Sequence, residues 1–304
     1  MQSFFVNSVI KQRLVWLSAI LAMFTLFVLG CQPIQLLDAE GDHSGDAEMA
    51  ETMSTGNPEL GAYIASVATG CGCHFNRDLG GLAGGNEFEG PWGVAYTPNL
   101  TPHDTGINQI SDDALANAIR IGVSSHGGNL APPMPRYSGV SDQDVMDLIA
   151  YLRSLDPIEN EIPERNITGE IPDFAGEAPP AVAPTDPIER GLYLASITRC
   201  GRCHTPRNDD GSLDWSRPLA GAPFRDTIAP NLTPDELTGL GEWSDQEIAD
   251  FLRTGLYSDG TEAHPGMKGQ TDRGLKDLTD DDALAIAAFL KSLPPIENLP
   301  EPSQ

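Results

Sequence analysis

The apolar positions along this 304-residue chain fall into three regimes. An apolar run, interrupted only by Ser18 and Thr25, fills 14–30, behind Lys11 and Arg13. Residues 38–57 carry no apolar periodicity and many small and acidic side chains, the pattern of a flexible acidic tether within 31–57. Beyond them apolar residues return at helical spacing and almost nowhere alternate as in strands. Ser141 and Thr279 each precede a cluster of acids and then an apolar stripe, which predicts N-capped helices over 141–156 and 279–294. Ser111 and Ser244 open two more helices in the same way, and a further pair begins near Pro58 and Pro187. Three helices per unit with almost no strand pattern predict an all-α fold.

These helices belong to two copies of one unit. Gly61 and Gly191, Tyr63 and Tyr193, Cys73 and Cys203, and His74 and His204 all share an offset of 130. Thr97-Pro98-Asn99-Leu100-Thr101-Pro102 and Ala229-Pro230-Asn231-Leu232-Thr233-Pro234 follow at offset 132, and Met134 and Met267 at 133. Each closing helix runs on into Pro-Ile-Glu-Asn, at 157–160 and 295–298. The predicted organisation is two domains, 58–157 and 187–298. Between them 158–186 forms a Pro-, Glu- and Ala-rich semi-stiff linker, long enough to wrap across the neighbouring domain. Gly61 and Gly191 are expected to let the first helix of each unit approach the last, against Tyr151 and Phe289. Asn99, Asn166 and Asn231 match the glycosylation triplet, a short pattern to which no role is assigned here.

Composition adds a constraint. Hydrophobic content is 40% and aromatic content 7%, thin for two full cores, and a large buried cofactor per domain would make up the missing volume. The formal charge is -26, and Lys11 and Arg13 lie in a leader without acids, so the chain from Cys31 onward is more acidic still. Such acidity argues against nucleic acid and points to protein partners with a basic docking face. The alternative is that it only keeps the chain soluble. Residues 1–30 read as a signal peptide or membrane anchor. Their end, Val28-Leu29-Gly30-Cys31, resembles a bacterial lipoprotein signal with Cys31 as the lipidated residue. An uncleaved transmembrane helix is the other reading of the run. Both place the rest of the chain outside the cytoplasmic membrane, anchored to it.

All five cysteines can be assigned, and none is left for a structural disulfide. Cys200-Gly201-Arg202-Cys203-His204 is C-x-x-C-H, the spacing of a c-type haem attachment site. Two sulfurs a helical turn apart meet the two vinyl groups of a haem, and His204 lies under the iron. A zinc site would need a fourth ligand at finger spacing, and a redox dithiol would need no histidine. In the first unit, aligning Cys73 and His74 puts Gly70 where the first cysteine should stand. The motif there is Gly70-Cys71-Gly72-Cys73-His74, with one residue between the sulfurs. One thioether, at Cys73, and the His74 bond are expected to survive. Cys71 is either a second attachment point in a tightened turn or a spare thiol.

Each unit resembles a class I cytochrome c domain, and the whole resembles a dihaem cytochrome c, on these motifs, the Pro-Asn-Leu stretches, Met134 and Met267, and the closing helices. Similar units occur in cytochrome subunits of bacterial alcohol and sugar-acid dehydrogenases. The resemblance covers about 57–298 apart from the linker, and it implies two haem c groups. It implies that Pro98 and Pro230 accept the ring N–H of His74 and His204 through their carbonyls, and that Trp243 hydrogen-bonds a haem propionate. Ile110 is the counterpart of Trp243 and cannot donate, so the two haems should differ in potential. It implies Met134 and Met267 as sixth ligands, which favours reduced iron. His126 and His264 compete for that place from the same loops, whereas Met146 has core spacing and His103 reads as a surface residue.

Iron held on both axial sides leaves no open position, so the expected function is electron carriage without a catalytic residue. A bound electron-transfer subunit of a dehydrogenase is the alternative. A dihaem peroxidase is a third, resting on the irregular first motif and His126.

Overall fold

The computed structural model describes residues 55–174, 178–225 and 227–301. The apolar leader, Cys31 and nearly all of the acidic tether lie outside the described residues.

The first unit contains helices α1 (Pro58–Val67), α2 (Asp112–Arg120) and α3 (Asp142–Ser154). The second contains α4 (Pro187–Ile197), α5 (Gly201–His204), α6 (Asp245–Thr254), α7 (Pro265–Arg273) and α8 (Asp280–Ser292). The caps are those the sequence announces. Ser111 and Ser141 accept from Ala114 and Asp144, Ser244 forms a capping box with Glu247, and Thr279 accepts from Asp282. Asn57 and Asp186 cap α1 and α4, each followed by a proline at the first helical position.

In each unit the first helix packs along the last, α1 on α3 and α4 on α8. The glycines set that distance. A β-carbon on Gly61 would overlap the Asp147 carbonyl and lie 2.8 Å from the Tyr151 β-carbon. One on Gly191 would overlap the Ala285 carbonyl and lie 2.6 Å from that of Phe289. The contact expected from the repeat is therefore present in both units.

The fold is mostly helical, but the all-α expectation is corrected by two small sheets. Strands β1 (Glu87–Gly90), β2 (Gly93–Tyr96) and β3 (Asn166–Ile167) form one, antiparallel throughout. Strands β4 (Ala222–Phe224) and β5 (Thr227–Ala229) form a hairpin. None exceeds four residues, too short for period-two alternation to register. The third strand belongs to the linker, which follows the neighbouring unit as its length allows. It pairs with β2, Arg165 donates to the carbonyls of Gly127 and Asn129, and the Pro180 and Ala181 carbonyls accept from Asp142 and Gln143. The segment lies along the first unit. Its prolines and acids advertise extended chain, but its partners are backbone groups that leave no side-chain signature.

One continuous core runs through both units, from Val67, Ile107 and Ile149 to Leu194, Ile248 and Ile286. Across it the units exchange equivalent bonds. Tyr63 donates to Asp282 at 2.5 Å, and Tyr193 donates to Asp144 at 2.5 Å. Ser66 is hydrogen-bonded to Asp277, and Gly274 sits against the Ser66 carbonyl.

Candidate haem-attachment turns

The twin motifs occupy two short helical turns that follow α1 and α4. Cys71–His74 is a 3-10 turn, and Cys200 caps α5. His74 is 5% exposed and its Nδ1 lies 2.9 Å from the Pro98 carbonyl oxygen. His204 Nδ1 lies 2.8 Å from that of Pro230. A carbonyl can only accept, so Nδ1 carries the hydrogen and Nε2 keeps its lone pair. Burial lowers the pKa of both imidazoles, and the carbonyl bond opposes it only in part, so both rings stay neutral and able to bind metal.

The loops holding these rings repeat in detail. The His74 and His204 carbonyls accept from Gly84 at 2.8 Å and Gly221 at 2.7 Å. These glycines have φ of 71° and 87° and press on the Pro98 and Pro230 stretches, where a side chain would both strain and collide. Asn99 donates to the Ile158 carbonyl at 2.7 Å and accepts from Thr101, and Asn231 does the same with Ile296 and Thr233. Asn160 donates to Ala83, and Asn298 to Ala220, both at 2.8 Å. Pro-Ile-Glu-Asn thus recurs because it straps the end of each unit to the loop behind its histidine. Asn99 and Asn231 are 1% and 2% exposed, so the triplets they begin are internal joints. The sequence showed these asparagines, but not the carbonyls they meet.

The sulfurs sit differently in the two turns. Burial raises the thiol pKa of Cys200, which the Thr198 hydroxyl approaches at 3.3 Å. Burial also raises Cys203, with arginines pulling the other way. Cys71 is pushed up to about 11 by burial, with neighbouring Cys73 adding to it, while Cys73 is exposed. In an α-turn three residues advance about 300°, so Cys200 and Cys203 lie roughly 60° apart around the axis. In a 3-10 turn two residues advance about 240°, leaving Cys71 and Cys73 roughly 120° apart. The place of the missing cysteine is filled. A β-carbon on Gly70 would overlap the Tyr137 hydroxyl and lie 3.1 Å from its ring carbon Cζ.

Met134 lies in a turn, its N–H donating to Ala131 and its carbonyl accepting from Arg136 at 2.6 Å. Met267 was expected in a loop but falls in the first turn of α7, partly buried against the core. Pro265 at the first helical position and a His264 cap start that helix, and Gly266 hid its periodicity. The His264 ring Nδ1 accepts from Gly266 N–H and the residue is exposed. His126 is exposed at a tight turn, and Met146 is on α3 as core spacing suggested. His103 closes a local turn with Thr105. Trp243 makes edge contacts with Phe251 and Tyr257 at 5.7 and 6.0 Å between ring centres. Its carbonyl accepts from Lys291, as that of Ile110 does from Arg153.

Among the described residues no three His, Cys, Asp or Glu side chains converge as a metal-ion cluster, and no helix is long and apolar enough to cross a membrane. The donor set on each turn is one oriented neutral histidine with cysteine thiols beside it. That set fits a covalently attached haem: thiols for the vinyl groups and one imidazole lone pair for the iron.

Comparison with known proteins agrees. The cytochrome c family profile matches residues 60–156 and 188–294. The chain is 37% identical over 268 residues to a diheme cytochrome c-type protein of Cereibacter sphaeroides, covering 80% of this chain and 88% of that one. It is 36% identical over 264 residues to the gluconate 2-dehydrogenase cytochrome c subunit of Pantoea cypripedii, covering 77% of this chain and 58% of that one. Against the fructose dehydrogenase cytochrome subunit of Gluconobacter japonicus it is 34% identical over 253 residues, 77% of this chain and 52% of that one. The chain thus spans little more than half the length of these two dehydrogenase subunits. With its two matched regions and repeated histidine turns, the chain belongs to the cytochrome c family.

Proposed function

We propose that the protein is a dihaem electron carrier outside the cytoplasmic membrane, anchored through Cys31 or an uncleaved N-terminal helix. The observation that carries this is the twin ring-to-carbonyl bond, His74 to Pro98 and His204 to Pro230, each on a turn that holds cysteines. When bound, each haem supplies a one-electron iron couple.

The chain supplies the rest. Pro98 and Pro230 fix the tautomer of His74 and His204 and keep Nε2 aimed as a ligand. Met134 and Met267 offer thioethers, which stabilise the reduced metal. Cys200 and Cys203 would tether the second haem. Cys73 would tether the first, with Cys71 turned off the attachment face and Tyr137 where a regular first cysteine would stand. Trp243 offers an indole N–H to a propionate, and Ile110 offers none, so the two sites differ in potential. Were His74 with Met134 and His204 with Met267 to hold the two irons, no position would be left open for a substrate. The overall acidity suits redox partners with a basic docking face.

The names of the relatives support a second reading, a bound electron-transfer subunit of a dehydrogenase whose oxidising centre is another chain. The shared claim is tested by stopped-flow oxidation of the reduced protein with an outer-sphere oxidant. Two electrons per chain and no turnover of hydrogen peroxide are expected. One electron, or peroxide consumed catalytically, contradicts it. Co-purification with a dehydrogenase subunit from membranes selects the second reading over a free carrier.

A further inference from the structure

The charge around the second attachment turn opposes that of the chain. The sequence carries a formal charge of -26 with 18 basic residues in all, yet arginines crowd Cys203. Arg202 lies within the turn and is exposed, and Arg199 immediately precedes it. Arg207 reaches back to the Arg202 carbonyl at 3.4 Å and to that of Gly211 at 2.8 Å. Strand β4 packs on α5 and leads to exposed Arg225, whose guanidinium stands 5.4 Å from the Phe224 ring centre. Of the acids in the loop Asp214 is paired with Arg217, while Asp210, hydrogen-bonded to Ser212, and exposed Asp209 keep their charge at the rim, two against the four arginines. Trp215 is exposed beside the turn, 3.2 Å from where a β-carbon on Gly201 would stand.

The first turn lacks this feature. At the shared offset of 130, Arg199 becomes Thr69 and Arg202 becomes Gly72, and only Arg207 keeps a counterpart, Arg77. The first unit's hairpin carries Glu87 and Glu89 instead.

We propose that the arginine face around Cys203, with Trp215 as its apolar anchor, is the docking site for an acidic face on a redox partner protein. It rests on the carrier reading and gives that reading a polarity. The chain's overall field draws a basic partner, while the second turn admits an acidic one, so donor and acceptor engage different ends. Arginine and tryptophan are the residue types that concentrate binding energy at interfaces, and opposed charge sets encounter rate.

The test uses the reduced, haem-loaded full chain and hexacyanochromate(III), a redox-inert trianion whose paramagnetism broadens the NMR signals of what it touches. The expected result is selective broadening of the Trp215 indole N–H and of backbone amides in 201–207 and 224–225. It should be absent with the hexaamminechromium(III) cation and should fade as salt is raised. Arg202→Glu combined with Arg225→Glu should abolish it. Because Arg202 lies in the attachment turn, Arg225→Glu alone is the second variant, expected to weaken it by about threefold at low salt. Broadening spread evenly over the surface, or unchanged in both variants, overturns the proposal. Haem content read on the same samples separates the two claims. A fully loaded chain without the anion focus sinks the docking face alone, and a chain without haem at the second turn sinks the carrier reading beneath it.

Discussion

The Tyr63 hydroxyl donates to the Asp282 carboxylate at 2.5 Å, across 219 positions of sequence. Its repeat equivalent, Tyr193, donates to Asp144, which stands where Asp282 stands in the other closing helix. Each unit thus offers the same tyrosine to the same helix turn of the other, as in a two-fold dimer interface built within one chain. Asp282 also takes two bonds from Arg190, both 2.8 Å. Asp282→Asn should therefore cost about 2–3 kcal/mol, since it leaves a half-buried guanidinium without its charge partner. Tyr63→Phe should cost about 1 kcal/mol. Denaturant unfolding of the holoprotein measures both, and an Asp282→Asn chain as stable as the parent would show that this joint is not structural.

The same pairs set an alkaline limit. Burial, and then the Asp282 bond, push the Tyr63 phenol from 10.0 up to about 12, and burial beside Asp144 moves Tyr193 the same way. A raised phenol pKa means that the fold favours the neutral form. Its contribution is complete below pH 10 and is lost as pH climbs towards about 12. On the acid side, burial would raise Asp282, but the Arg190 and Tyr63 bonds outweigh it and hold it below 3.8, so its contribution fades only as pH falls beneath that value. Melting temperature against pH should decline above pH 10, and less steeply in the Tyr63→Phe/Tyr193→Phe chain. Identical alkaline slopes would exclude these tyrosines as the cause.

Close helix contact at Gly61 and Gly191 makes a third prediction. An added methyl at either position meets a backbone carbonyl, which cannot rotate away. Gly61→Ala or Gly191→Ala should lose about 2–3 kcal/mol, although alanine is the better helix former. A gain in stability by thermal melting would mean that the helices have room to part.

At the first turn, Cys73→Ser should abolish covalent haem there, whereas Cys71→Ser should leave haem content unchanged. A haem with one free vinyl absorbs at longer wavelength in alkaline pyridine than one with two thioethers. The parent should therefore give a composite band, and Cys71→Ser should not move it. A shift to longer wavelength in Cys71→Ser would show that Cys71 is a second attachment point.

The repeat makes much of this legible in the sequence itself. Offsets of 130 to 133 aligned Gly61 with Gly191 and Pro98 with Pro230, and both pairs make matched contacts. The contacts that the sequence hides have partners that are distant or are backbone. Tyr63 and Tyr193 were visible as a pair, but their acceptors lie in opposite units. Asn160 and Asn298 were visible in Pro-Ile-Glu-Asn, but the Ala83 and Ala220 carbonyls they hold have no sequence signature. Helix α7 is hidden by Pro265 and Gly266 side by side at its start, and the strands are hidden because four residues cannot display a period.

The measurement closest to the central claim is the mass of the mature protein under denaturing conditions, after expression in a host competent in cytochrome c maturation. Only covalently held haem survives unfolding. The account predicts a chain carrying two haems, one on the turn of His74 and one on that of His204. A chain carrying one would contradict the first site, and a chain carrying none would contradict both.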